Sequence, residues 1–208
     1  MTASTSRAER RAETRRLLLD AAAKVFAAKG YRGAAVADVA EAAGFTKGAV
    51  YDHFRTKEAL YLALLREREL ASLAETEALF AAEPDPDRRL AALEERSAAH
   101  RADRDELMLS YEMLSHAARN PKLRRELRDR ANKVRQVNAE LIRRQWQDRG
   151  VQPSISAEDF ARLIDGLNKH VAAEALLDPK IDPMPVAGRL LTFLVRAAQE
   201  SATWDRDH

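Results

Sequence analysis

Residues 36–54 read VADVAEAAGFTKGAVYDHF, with apolar residues at helical spacing on both sides of a glycine. The pattern predicts two short helices, Val36–Ala43 and Lys47–Phe54, separated by a turn at Gly44. Thr46 precedes the second helix, where its hydroxyl is placed to accept a hydrogen bond from an exposed N–H of the first turn. This arrangement is typical of a helix-turn-helix, whose second helix can enter the major groove of DNA.

The side chains of this segment fall into two groups with different expected roles. Ala40 is small enough for the two helices to approach closely, and Gly44 makes the turn. We expect Val39, Phe45 and Val50 to form the apolar contact that sets the crossing angle. The outer face offers groups suited to phosphates and base edges, and they belong to Thr46, Lys47, Gly48, Tyr51 and His53.

The sequence on both sides of this segment also predicts helices. Residues 1–10 are polar and are expected to form a disordered basic arm, followed by a helix over Ala12–Lys29 that ends at Gly30. Glu83-Pro84-Asp85-Pro86 interrupts the later helical pattern as a linker. No strand pattern is present, so the predicted fold is all-α. The remaining helices are expected over Lys57–Ala82, Asp87–Arg101, Asp103–Arg119 and Pro121–Gly150, and in two segments that begin after Ser156 and Asp182. The predicted N-caps of the last three helices are Asn120, Ser156 and Asp182.

The composition excludes several classes of function. The chain has no cysteine, which rules out disulfides, thiolate metal sites and cysteine nucleophiles. We find no glycine-rich phosphate loop, no His-Glu metal motif and no Ser/His/Asp grouping in a recognisable context, so we expect no cofactor, no metal and no catalytic residue. The N-terminus lacks the apolar run of a signal peptide and no segment is long enough to span a membrane, so a soluble cytoplasmic protein is expected.

Positive charge is concentrated at the N-terminal end. Residues 1–57 carry 11 Lys and Arg against 6 Asp and Glu, which leaves 24 against 27 for residues 58–208. Such an excess attracts the phosphate backbone of a nucleic acid. Five arginines contribute to it, and they either reach the DNA or form an ordinary solvated face: Arg7, Arg10, Arg11, Arg15 and Arg16.

Residues Thr14–Leu60 resemble the N-terminal domain of the TetR/AcrR transcriptional regulators. The resemblance rests on Phe26, Gly30-Tyr31, Val39-Ala40, Ala43-Gly44, Thr46-Lys47-Gly48, Tyr51, His53-Phe54, Lys57-Glu58 and Leu60. It implies a homodimer that binds a palindromic double-stranded DNA operator, usually as a repressor, and leaves it when a small-molecule effector binds. It also implies a helix-turn-helix DNA-binding domain over residues 11–57 and an effector-binding and dimerisation domain over residues 58–208.

The resemblance also assigns the DNA contacts, which are Thr46, Lys47, Gly48, Tyr51, His53 and Lys57. Gly48 lets the backbone approach the DNA closely, and Lys57, at the start of the fourth helix, meets a phosphate. The chain departs from many members of the family at Ala34-Ala35, where a Ser or Thr would precede the second helix. The missing hydroxyl removes a helix cap worth about 1 kcal/mol.

The C-terminal part is expected to hold the effector and the dimer interface. By analogy of fold, the side chains expected to line an effector cavity are Met108, Tyr111, Met113, Trp146 and His170. Core packing, or a surface position for the histidine, is the alternative. The expected dimer interface consists of apolar stripes on the last two helices, which otherwise only complete the monomer core: Phe160, Leu163, Ile164, Leu167, Val171, Val186, Leu190, Phe193, Leu194 and Ala197.

Three alternatives to a specific regulator stay open at this point. The helix-turn-helix pattern also suits a helical hairpin in an unrelated bundle, with Tyr51 and Phe54 as core aromatics. A helical enzyme would need a site in the C-terminal domain, where the carboxylates all lie at positions expected on helix surfaces. A sequence-independent DNA compactor would bind any duplex with similar affinity, so competition with random DNA separates it from a specific regulator.

Overall fold

The computed structural model describes residues 6–99 and 104–207. Within these ranges the chain forms nine helices: α1 Arg7–Gly33, α2 Val36–Ala43, α3 Lys47–His53, α4 Lys57–Ala82, α5 Pro86–Ala99, α6 Arg104–Ala118, α7 Pro121–Asp148, α8 Ala157–Leu177 and α9 Pro183–Asp207. The same ranges contain no strand, which confirms the predicted all-α fold with an N-terminal helix-turn-helix and a helical C-terminal domain. None of the described helices is long and apolar enough to cross a membrane.

The chain divides into two compact units. The first contains the described residues up to Ser72 together with Met108–Arg119, and the second contains the described residues of Leu73–Leu107 and Asn120–His208. Helices α4 and α6 therefore each contribute to both units. The boundary predicted between residues 57 and 58 lies inside the first unit, because the start of α4 is buried there through Leu60, Tyr61 and Leu64.

Helix α1 begins earlier than the sequence predicted. The Ser6 hydroxyl accepts a hydrogen bond from the Glu9 backbone N–H at 3.1 Å, and the Glu9 carboxylate accepts one from the Ser6 N–H at 2.6 Å. This capping box starts the helix at Arg7, so the predicted disordered arm is wrong for residues 7–10. Positions 1–5 of that arm lie outside the described residues. The apolar pattern missed the first turns because they are polar on every face.

Helices α1, α2 and α3 pack around an apolar core in the first unit. Its fully buried side chains include Leu18, Ala22, Phe26, Leu60 and Tyr61. The predicted scaffold of the helix-turn-helix is confirmed, because Val39 and Val50 are completely buried and Ala40 is 3% exposed. Gly44 makes the turn with a φ of 73°, and Phe45 is half-buried beside it.

The second unit has a separate core in which α5 packs against α9, and α8 packs against both α7 and α9. A Cβ at Gly188 of α9 would lie 2.8 Å from the Cβ of Ser97 on α5, so the glycine allows these two helices to approach. The buried side chains of this core include Phe80, Leu90, Leu93, Trp146, Phe160 and Val195. The predicted linker is confirmed between Ala82, where α4 ends, and Pro86, where α5 begins.

Candidate nucleic-acid interface

Helix α3 is set in place by its cap and by one buried side chain. The Thr46 hydroxyl accepts a hydrogen bond from the Ala49 N–H at 3.2 Å, as the sequence predicted. Val50 is completely buried and anchors the inner face of the helix. The outer face is exposed and carries Lys47, Gly48 and Tyr51, whose side chain is 42% exposed. This outer face is the surface that α3 offers to a partner.

The exposed residues of α3 form a compact polar surface. The Lys47 ammonium lies 5.9 Å from the centre of the Tyr51 ring, one helical turn further along. A Cβ at Gly48 would have only the Thr46 hydroxyl near it, at an ordinary contact distance of 3.8 Å, and Gly48 has no positive φ. The described fold therefore does not require glycine at this position. Its missing side chain leaves room for a partner to reach the backbone.

Two arginines of α1 hold the end of α3. The Arg11 guanidinium donates a hydrogen bond to the Asp52 carbonyl at 3.1 Å, and the Arg15 guanidinium lies 4.8 Å from the centre of the Phe54 ring. Burial lowers the pKa of the neighbouring His53, and the positive charges of Arg11 and Arg15 lower it further. His53 is therefore mainly neutral at pH 7, able to donate and accept hydrogen bonds without adding charge. The sequence predicted that these arginines either contact DNA or are solvated, and it did not reveal their contacts with α3.

Lys57 braces the connection between α1 and α2. Its ammonium donates hydrogen bonds to the carbonyl oxygens of Tyr31 at 2.8 Å and Ala34 at 2.9 Å. The same ammonium lies 4.5 Å from the centre of the Tyr31 ring. These contacts give Lys57 a structural role that the sequence did not reveal. The phosphate contact implied by the family resemblance stays a prediction.

Glu112 of α6 holds the end of α1. Its carboxylate accepts a hydrogen bond from the Tyr31 N–H at 2.6 Å. Gly30, just before it, breaks the helix with a φ of 67°, and a Cβ there would lie 2.7 Å from a Glu112 carboxylate oxygen. Glycine is thus needed for its backbone conformation and to make room for Glu112. No sequence motif marks Glu112, because its partner lies 81 residues away along the chain.

The Tyr31 side chain lies in a buried cluster beside Glu112. Its ring centre is 5.7 Å from that of Tyr61 and 5.3 Å from that of His116. Burial raises the pKa of Tyr31, and the negative charge of Glu58 raises it further. Glu58 of α4 also lies 3.7 Å from the Nε2 atom of His116 on α6. These ring and charge contacts join α1, α4 and α6 within the first unit.

Helix α2 begins without a side-chain cap, as Ala34-Ala35 predicted. The Asp38 carboxylate supplies the reciprocal half of a capping box, because it accepts a hydrogen bond from the Ala35 N–H at 2.8 Å. Lys29 of α1 forms an ion pair with the same carboxylate at 3.0 Å. The Ala35 hydrogen bond lowers the pKa of Asp38 most, and Lys29 adds to the effect. The start of α2 is therefore held by Asp38 rather than by a hydroxyl.

The side chains predicted to line an effector cavity lie in different surroundings. Met113 is 2% exposed in the first unit, whereas Met108 is 43% exposed. Tyr111 is half-buried. Trp146 lies in the core of the second unit, edge-on to Phe160 with 5.4 Å between ring centres. The His170 side chain on α8 is exposed and lies 3.6 Å from Glu174, and its assignment to an effector cavity stays a prediction.

The residues predicted to form the dimer interface differ in how far the fold of one chain buries them. Phe160 and Val171 are 2% and 4% exposed, so they complete the core of their own chain and their assignment to the interface is wrong. Leu163 on α8 and Phe193 on α9 are 43% and 67% exposed and remain candidates. The others are half-buried, namely Ile164, Leu167, Val186, Leu190, Leu194 and Ala197.

The all-helical fold and the exposed, capped α3 define the class of helix-turn-helix DNA-binding regulators. A family model described as bacterial regulatory proteins, tetR family, matches residues 18–64, and one described as BetI-type transcriptional repressor, C-terminal, matches residues 84–200. The second match alone covers more than half of the chain. The chain belongs to the TetR family, with a C-terminal domain of the BetI type.

Known proteins agree with this assignment. An HTH-type transcriptional repressor of Mycobacterium tuberculosis is 30% identical over 156 residues, which cover 74% of this chain and 78% of that protein. The structure of a transcriptional regulator from Saccharomonospora viridis in complex with choline has a TM-score of 0.69 at 23% identity, covering 89% of this chain and 96% of that one. FadR from Bacillus subtilis in complex with stearoyl-CoA has a TM-score of 0.64 at 16% identity, covering 86% and 96%. The two structures show the shared fold, and the family places the chain among transcription regulators rather than enzymes.

Proposed function

We propose that this chain is a homodimeric repressor that binds a palindromic operator through α3 and leaves it when a small-molecule effector binds in the C-terminal domain. The working compartment would be the cytoplasm, where bacterial operator DNA lies. The side chains proposed to contact the DNA are Thr46, Lys47, Gly48, Tyr51, His53 and Lys57.

The exposed outer face of α3 is the observation that carries this proposal. Val50 anchors the helix from inside, so Lys47 and Tyr51 project from a fixed frame. The fold gives no reason for glycine at Gly48, whereas a phosphate or base edge approaching the backbone would need one. A hairpin that only filled a helical bundle would bury Tyr51 and would have no use for a bare backbone at its outer surface.

The proposal of a homodimer is supported by apolar surface on the last two helices and is consistent with the proposed palindromic operator. A two-fold symmetric protein presents two copies of α3 to the two halves of a palindrome. Leu163 and Phe193 are large apolar side chains that the fold of one chain leaves exposed. An isologous interface would bury such side chains against their symmetry mates.

Effector release is supported by proteins of the same fold. One regulator was solved in complex with choline and another in complex with stearoyl-CoA, so proteins of this fold bind chemically different small molecules. A ligand can release DNA only by binding the DNA-free arrangement of a protein more tightly than the bound one. We propose this mode of control for the present chain.

A DNA-binding measurement tests the proposal. The full-length protein is titrated against a labelled fragment of its own upstream region by fluorescence anisotropy, at several salt concentrations and with excess random DNA. We expect selective binding that weakens as salt rises, and loss of that binding in Lys47→Ala and Tyr51→Ala at unchanged melting temperature. Absence of binding at low salt would refute the proposal. Equal affinity for random DNA would instead favour a compactor.

The oligomeric state is tested separately. We expect a dimer by analytical ultracentrifugation, and Leu163→Glu should weaken dimerisation and operator binding together, because one half-site makes too few contacts. Arg162→Glu changes the charge of the neighbouring exposed position and serves as the control. A Leu163→Glu variant that dimerises and binds operator normally would remove this part of α8 from the interface.

A further inference from the structure

One half-buried arginine of the second unit has no carboxylate partner among the described residues. Arg96 of α5 donates a hydrogen bond from its Nη2 atom to the Thr76 hydroxyl of α4 at 2.9 Å. Its Nη1 atom is buried and has no hydrogen-bond partner. In the part of the chain that the structure describes, no carboxylate forms an ion pair with Arg96. Since guanidinium stays protonated in proteins, Arg96 keeps its positive charge, and the Thr76 hydroxyl accepts a hydrogen bond from it without neutralising it.

A second arginine on the same helix shows how this fold satisfies a structural guanidinium. Arg89 lies seven residues before Arg96, on the same face of α5, and is 3% exposed. It donates hydrogen bonds to the carbonyls of Glu83 at 2.5 Å and Pro84 at 3.1 Å, and it pairs with the carboxylate of Asp148. Arg89 therefore ties the α4–α5 linker to the end of α7. Arg96 has no comparable set of acceptors.

Other interior polar atoms of the second unit show the same lack of acceptors. The Nε atom of Arg135 and the indole Nε1 atom of Trp146 are buried donors without a partner. Arg135 faces Asp165 through another nitrogen at 3.7 Å, which leaves its Nε unused. A ligand that reached one of these donors would therefore be favoured if it brought a hydrogen-bond acceptor, and beside an arginine above all if it brought negative charge.

We propose that Arg96 anchors an effector that carries a carboxylate or a phosphate. An anion beside the Nη1 atom would neutralise the guanidinium and accept a hydrogen bond from it. The hydrogen bond to the Thr76 hydroxyl fixes the orientation of the planar guanidinium. This inference names the chemical class of the effector and so rests on the proposed function. It differs from a cationic effector, which an unneutralised arginine would repel.

The first test needs no ligand. A buried charge without a counter-ion destabilises a fold, so Arg96→Met should melt at the same temperature as the wild type or higher. Arg88→Met replaces an exposed arginine on the same helix and is the matched control. A melting temperature clearly below that of Arg88→Met would overturn the proposal, because Arg96 would then be a structural brace like Arg89.

The second test measures binding by thermal shift with sodium octanoate, sodium phosphate and choline chloride at matched ionic strength. Octanoate or phosphate should raise the melting temperature of the wild type and of Arg88→Met, and the affinity should fall roughly tenfold or more in Arg96→Met. Stabilisation by octanoate alone identifies a carboxylate, and by phosphate alone a phosphate group. Equal shifts in Arg96→Met, stabilisation by choline alone or no shift with any anion would overturn the inference.

Both tests are independent of DNA, so they separate this inference from the proposed function. A protein that binds octanoate through Arg96 but never binds its upstream region keeps the anion site and loses the regulator mechanism. A protein that binds operator selectively and ignores every anion keeps the regulator mechanism and loses the anion site.

Discussion

Two pairs of residues in the first unit, each with one lysine and one tyrosine, lie in opposite surroundings. Lys47 and Tyr51 lie on the exposed face of α3, where the Lys47 ammonium is 5.9 Å from the centre of the Tyr51 ring. Lys57 donates hydrogen bonds to two carbonyl oxygens, and Tyr31 is 2% exposed in an aromatic cluster. The first pair is free to meet a partner, whereas the second pair holds the frame that carries α3.

Glycine shows the same contrast. Gly30 has a positive φ, and the Glu112 carboxylate occupies the space that a side chain would need. Gly48 has an ordinary helical conformation with open space around it. A motif that contains both glycines does not say which one the fold needs. The contacts decide this, and substitutions at matched residues test it.

The largest expected difference is between Gly30→Ala and Gly48→Ala. Gly30→Ala strains a positive φ and displaces the Glu112 carboxylate from the Tyr31 N–H, so the free energy of unfolding should fall by about 2–4 kcal/mol. Gly48→Ala should change it by less than about 0.5 kcal/mol and still weaken operator binding. Urea denaturation and fluorescence anisotropy measure the two effects. A similar loss of stability in both variants would show that Gly48 also serves the fold.

The next largest difference is expected between Lys57→Met and Lys47→Met. Lys57→Met keeps the side-chain length but leaves the carbonyls of Tyr31 and Ala34 without their donor, which should cost about 1–2 kcal/mol of unfolding free energy. Lys47→Met should leave stability unchanged, weaken operator binding and reduce the slope of log affinity against log salt by about one. If Lys47→Met instead unfolds more readily than Lys57→Met, the exposed lysine is the structural one.

The elements that the sequence predicted share one property, since each depends on residues close together in the chain. The caps at Thr46, Asn120 and Ser156 reach three residues ahead, and the structure contains all three. The turn at Gly44 and the scaffold around Val50 follow from local spacing in the same way. Such features can be predicted from the sequence because helix periodicity and capping depend on residues within about one helical turn of each other.

The features that the sequence missed depend on long-range contacts. The hydrogen bonds of Glu112 with Tyr31 and of Arg11 with Asp52 form only when the helices pack together. The apolar stripe on α8 marks residues that avoid water without saying which surface covers them, so Phe160 was assigned to a dimer interface although it lies in the core of its own chain. The start of α1 was missed because Ser6 and Glu9 form a cap before helical turns that have no large apolar side chain.

Substitutions at the helix caps should change the free energy of unfolding by smaller amounts, one lowering it and the other raising it. Thr46→Ala removes the hydroxyl that accepts the Ala49 N–H and should destabilise the protein by about 1 kcal/mol. Ala35→Ser adds the hydroxyl that α2 lacks and should stabilise it by about 0.5–1 kcal/mol, because Asp38 already supplies the other half of the capping box. Urea denaturation of both variants provides the measurement. Loss of stability in Ala35→Ser would mean that Asp38 and a serine hydroxyl compete at this helix start.

The smallest effect concerns His53 and should appear as a dependence of stability on pH. Its pKa in the folded protein is lowered by burial and by Arg11 and Arg15, so below the ordinary histidine pKa of about 6.5 the unfolded chain takes up a proton first. The wild type should therefore lose more unfolding free energy than His53→Gln between pH 7 and pH 5, with no further difference once the folded histidine is protonated. Denaturation of both proteins at pH 7, 6 and 5 isolates the contribution of His53 to the unfolding free energy, because their other titrating groups are the same. Parallel pH profiles would mean that neither burial nor the charges of Arg11 and Arg15 lower the pKa of His53 in the folded protein.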